Sequence, residues 1–129
     1  MGYYFAKTLA GTSFNDAIAR TTDALKAEGF GILTEIDVKA TMKKKLDRDF
    51  REYRILGACN PVMAWQALQA EERIGTMLPC NVIVQQRDDG AVEVAAVDPV
   101  ASMQAVENPG LAGIAADVRD RLKRVIAAL

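Results

Sequence analysis

The chain has 129 residues, half of them hydrophobic and 26% charged, with a formal net charge of −1. That length fits one domain over residues 1–129, large enough to bury a core without disulfides or a structural metal. The near-neutral charge offers no basic field for a phosphate backbone, so nucleic acid is not an expected partner.

In chain order, Tyr3 to Thr8 reads as a short aromatic strand. Ser13 then supplies a hydroxyl cap, with Asp16 three residues on, for a helix whose Phe14, Ala17, Ile18, Thr21, Thr22 and Leu25 recur at helical spacing. That helix runs to Glu28 and stops at Gly29. Phe30 to Ile36 is a second strand, and Asp37 caps a helix with Val38, Met42 and Leu46 on one stripe and Lys43, Lys44, Lys45 and Arg48 on or beside the other. These cations, mixed with Asp47, Asp49 and Glu52, read as a solvated face with local ion pairs.

Tyr53 to Cys59 is a third strand, and Asn60-Pro61 is a strong helix start, since Asn caps a free N–H and proline suits the first helical position. Ala64, Trp65 and Leu68 are expected to face the core from that helix. After Pro79, Val82 to Val84 forms a fourth strand, Asp88-Asp89-Gly90 turns the chain, and Val92 to Val97 returns as a fifth. Asp98-Pro99 ends it, a turn holds Met103, and Asn108-Pro109-Gly110 leads into a closing helix with Leu111, Ile114, Val118, Leu122, Val125 and Ile126 on one face. The order βαβαβαββα, with an antiparallel hairpin, is an α+β arrangement with helices on one face of a mainly antiparallel sheet.

The only cysteines lie in a repeated dipeptide, Cys59-Asn60 and Cys80-Asn81, each at the start of an element. If the fold brings those starts together, Cys59, Asn60, Cys80 and Asn81 form one ligand-binding site of two thiols and two carboxamides. A thiol before a helix start is expected to gain thiolate character from the helix dipole, which marks Cys59 as the reactive member. Cys80, opening an apolar strand, is expected to be buried and less acidic. The competing reading of both is that of small hydrophobes filling tight corners, with the asparagines capping backbone groups. With no histidine in the chain, a Ser-His-Asp triad lacks its base and a closed zinc site lacks its usual ligands. Gly-rich phosphate loops are absent from the sequence.

The run Ile55-Leu56-Gly57-Ala58-Cys59-Asn60-Pro61, then Ala64, Leu68, Gly75 and Leu78-Pro79-Cys80-Asn81-Val82, resembles the bacterial and archaeal family called domain of unknown function 302. Phe14, Gly29-Phe30-Gly31, Asp37 and Asp98-Pro99 extend the resemblance over nearly the whole chain. It implies a curved antiparallel sheet of the TATA-binding-protein-like class with packed helices, usually as a homodimer. It implies no activity and no cofactor, and the fold name carries no nucleic-acid function.

The expected function is that of a dimeric, non-enzymatic domain that binds a small ligand or a soft metal ion such as Cu(I), or senses oxidants, through the Cys-Asn motifs. The alternative is a thiol-dependent enzyme with Cys59 as nucleophile and an Asn amide or helix N–H groups as oxyanion donors. The start Met1-Gly2-Tyr3-Tyr4-Phe5-Ala6-Lys7 lacks a secretory-leader pattern and no apolar run is long enough to span a bilayer. A cytoplasmic location without a membrane partner follows, and two cysteines there are expected to be free thiols.

Overall fold

A computed structural model describes residues 2–129. Its frame is a five-stranded sheet in the order β1-β5-β4-β3-β2, every neighbouring pair antiparallel. The strands are β1 (Tyr4–Leu9), β2 (Gly31–Asp37), β3 (Tyr53–Cys59), β4 (Cys80–Gln86) and β5 (Val92–Val97). Between and after them come α1 (Phe14–Ala27), α2 (Val38–Leu46), α3 (Pro61–Ala70), a short α4 (Pro99–Ser102) and α5 (Ala112–Ala127). Single 3-10 turns at Ile74–Met77 and Pro109–Leu111 complete the path. The α+β class expected from the sequence is therefore present, and the element order too, with the short α4 standing where a turn was expected.

Alternation along the strands sorts side chains onto two faces. Leu9, Val92, Val94, Ala96, Val82, Val84, Leu56 and Ala58 are buried on one, where they pack with Phe14, Ala17 and Leu25 of α1 and Val118, Leu122, Val125 and Ile126 of α5. The other face carries an apolar row that crosses all strands through the register Ala6, Ala95, Ile83, Ile55, Ile36.

The helix starts behave as their sequences dictate. Ser13 Oγ accepts from the Asp16 N–H at 3.1 Å, Asp37 Oδ1 from the Ala40 N–H at 3.0 Å, and Asn60 Oδ1 from the Met63 N–H at 3.3 Å. Pro61 occupies the first turn of α3. Gly29, with φ +86, ends α1 in the left-handed region.

One helix departs from expectation, and a second contributes nothing to the core. On α3 the buried residues are Met63 and Ala67, whereas Trp65 is 66% and Leu68 43% exposed. The helix is apolar nearly all round, so spacing alone does not say which stripe is covered; α5 and the two 3-10 turns cover the Met63–Ala67 side, and Ala67 joins Ile74 and Leu111 in a small second core. The α2 stripe is no core face: Val38 and Met42 are half-buried, Leu46 is exposed, and no side chain of the helix is buried. Lys43 instead pairs with Asp47 and Asp49, both at 3.2 Å, which is the local ion pairing read from the sequence.

Candidate functional site

The β3–β4 ladder brings the two Cys-Asn motifs together. Ala58 and Cys80 are direct partners across it, and Gly57 faces Asn81. Cys59, one residue past the Ala58–Cys80 pair, closes β3 just as the chain turns into α3. Cys59, Asn60 and Cys80 all line one cavity, and both thiols are free. The cavity measures about 30 Å³ and its walls come from α3 (Met63, Ala67), the Leu78-Pro79 approach to β4, Met103 and the α5 stripe at Ile114 and Val118.

Asn81 is the member of the expected quartet that does not join. It follows Cys80 in an extended strand, so its side chain projects to the opposite face, where it is exposed and lines a separate concavity of about 460 Å³ with Tyr3, Tyr4, Tyr53 and Ile83. The site is thus two thiols and one carboxamide. Asn60 itself is largely committed to structure: its oxygen caps the Met63 N–H, and its amide nitrogen lies where a Cβ on Gly29 would come within 3.0 Å. Glycine at 29 serves both the positive φ and this close approach.

Burial pushes the Cys80 thiol up to about 11, with the neighbouring Cys59 adding a smaller like-charge contribution. Burial also raises Cys59. This reverses the sequence expectation for Cys59, and the local geometry gives the reason. Pro61 has no N–H to offer, Asn60 already caps the Met63 N–H, and the sulfur sits against an apolar wall. Desolvation by burial is the cause acting on this thiol. Alkylation of the native protein by iodoacetamide should begin at Cys59, run slower than for a free thiol at pH 7.5, and show an apparent pKa above the ordinary thiol value; a fast phase with a lowered pKa would contradict this.

From the sequence Met63 stands beside Trp65 as a pocket-lining candidate, whereas Met103 marks only a turn. Both methionines line the cavity, yet forty residues of chain and the α4 turn separate them, and only the packing of α3 against the start of α5 brings them to one place. Among the described residues, no cluster of three or more His, Cys, Asp or Glu side chains is arranged to hold a metal ion, and no helix is long and apolar enough to cross a membrane.

Fold and pocket together define an α+β protein whose antiparallel sheet ends on a pair of buried or half-buried thiols under a short apolar helix. The chain belongs to the family described as Domain of unknown function DUF302, which it matches over residues 5–129. It is similar to the crystal structure of an uncharacterized conserved DUF302 protein from Bacillus stearothermophilus, at 29% identity and a TM-score of 0.90, over 99% of this chain and 98% of that one. No curated protein matches the chain.

Proposed function

We propose that this DUF302 chain is a homodimeric, non-catalytic binding or sensing domain of the cytoplasm whose working centre is the Cys59–Cys80 pair. The observation that carries the reading is the shared cavity: the only two cysteines of the chain are distant in sequence and border the same small apolar space. Thiols that keep their protons suit a centre that responds when a bound ligand displaces those protons, and suit a nucleophile poorly. The enzyme alternative is less well supported, because Cys59 is raised by burial and the remaining lining is apolar apart from Asn60. Differential alkylation, with and without prior mild oxidation by hydrogen peroxide, tests the centre. Joint protection of Cys59 and Cys80 after oxidation, reversed by dithiothreitol, supports it; independent behaviour of the two thiols counts against it.

The homodimer is supported by the sheet face opposite α1 and α5. Its apolar row of Ala6, Ala95, Ile83, Ile55 and Ile36 spans five strands, a width of about 19 Å at the usual strand spacing. Tyr4 and Ile36 are exposed there, and α2 has no buried side chain. A second copy stacked on this face would cover the row. Sedimentation at micromolar concentration should return twice the 14.0 kDa chain mass, and Ile83→Glu should return the single chain. A 14.0 kDa species for the unmodified protein would remove the proposal.

A further inference from the structure

We infer that the cavity takes one thiophilic monovalent cation, Cu(I), held by the thiolates of Cys59 and Cys80 with the thioethers of Met63 and Met103 as supporting donors. The inference rests on the reading of the cysteine pair as the working centre and narrows what that centre binds.

Size comes first. A space of about 30 Å³ holds a water or two, so it admits an ion and is far below the several hundred Å³ of a drug-sized site. Donor chemistry comes second. Four of the side chains around the cavity carry sulfur, and the one polar side chain among the rest, Asn60, already spends its oxygen on the helix cap. Thiolate and thioether donors select Cu(I), while calcium and magnesium require oxygens that this wall does not present. Zinc takes four strong ligands in a closed site, and here there are two.

The binding step balances without an electron transfer. Two S–H bonds break, two S–Cu bonds form, and two protons pass to solvent; copper stays at +1 and the centre carries a single negative charge. That charge lies beside the first turn of α3, a helix of ten residues whose dipole favours an anion at this end. Because both thiols must give up protons, affinity rises with pH.

The test titrates fully reduced protein with Cu(I) under anaerobic conditions against the chelator bicinchoninate. One Cu(I) per chain, release of two protons and a sulfur-only first shell by X-ray absorption are expected. Cys59→Ser and Cys80→Ser should each weaken uptake by more than about 100-fold, and Met63→Leu and Met103→Leu by about 10-fold each, the low end of what supporting groups contribute at metal sites. Should Cys80→Ser fail to fold, the methionine variants and the absorption spectrum of the unmodified protein carry the decision. Oxygen or nitrogen ligands in the spectrum, unchanged affinity in both methionine variants, or zinc binding as tight as Cu(I) would overturn the assignment. Absent Cu(I) uptake with joint oxidation of the two thiols intact overturns the copper inference alone; absence of both overturns the dithiol centre as well.

Discussion

Replacing Gly57 with alanine should destabilise the fold by about 1–3 kcal/mol and lower the thermal midpoint by roughly 5–10 °C. Gly57 is buried in β3, opposite Asn81 on one side and Thr34 on the other. A Cβ at this position would stand 2.1 Å from the Thr34 hydroxyl oxygen and 2.8 Å from Cγ of Pro79. The threonine can turn its hydroxyl away, but the proline ring is held in the approach to β4 and has little room. Thr34→Ala in the same chain should therefore recover part of the loss and leave the contact with Pro79. Urea or thermal unfolding of the two single variants and the double variant measures this, and a Gly57→Ala protein as stable as its parent would refute the close-approach argument.

The second large effect is a loss of stability in alkali. A thiol raised to about 11 in the folded state, against an ordinary value near 9, keeps its proton longer in the folded than in the unfolded chain. The contribution is whole below pH 9 and drains away as pH rises from 9 through about 11, because above that window the unfolded chain has released the proton more readily. A two-unit gap corresponds to up to about 3 kcal/mol, part of it shared with Cys59 through their mutual repulsion. Other groups titrate in the same range, so the measurement is a comparison. Between pH 8.5 and 11 the stability of the unmodified protein should fall more steeply than that of Cys80→Ala, which lacks the group. Parallel pH profiles would show that Cys80 is not held in its neutral form by the fold.

Much of this architecture was legible in the chain because it is written in local signals. Ser13, Asp37 and Asn60 each announce a helix start by a mechanism that works over three residues, and the structure has all three caps. The Asp88-Asp89-Gly90 turn between two β-branched runs likewise places β4 beside β5. What stayed hidden depends on contacts between distant segments. The apolar girth of α3 does not reveal that α5 will cover Met63 rather than Trp65. The bulge between Ile32 and Thr34, which leaves Leu33 67% exposed, has no glycine or proline to mark it.

The candidate site divides in the same way. The places of Cys59 and Cys80 at element ends were readable in the sequence. The separation of Asn81 from its cysteine follows from strand alternation once β4 begins at Cys80 rather than at Val82, two residues earlier than the apolar run suggests. The rise in the Cys59 thiol was beyond sequence reasoning, because it is set by a wall assembled from α3, α4 and α5.

The strand order bears on how the molecule comes together. From β2 to β5 every ladder joins strands that follow one another along the chain, so residues 31–97 can zip up by successive short closures. Only β1 breaks the rule: its Tyr4 pairs with Val97, and its Lys7 Nζ donates to the main-chain oxygen of Leu129 beyond the end of α5. Such remote pairing carries the largest closure entropy in the sheet. β1 is therefore expected to be the last strand to dock, leaving the outer edge of β5 bare until then. Leu9→Ala should accordingly speed unfolding and leave the folding rate almost unchanged, whereas Val82→Ala in the central strand should slow folding, a contrast that stopped-flow kinetics would measure.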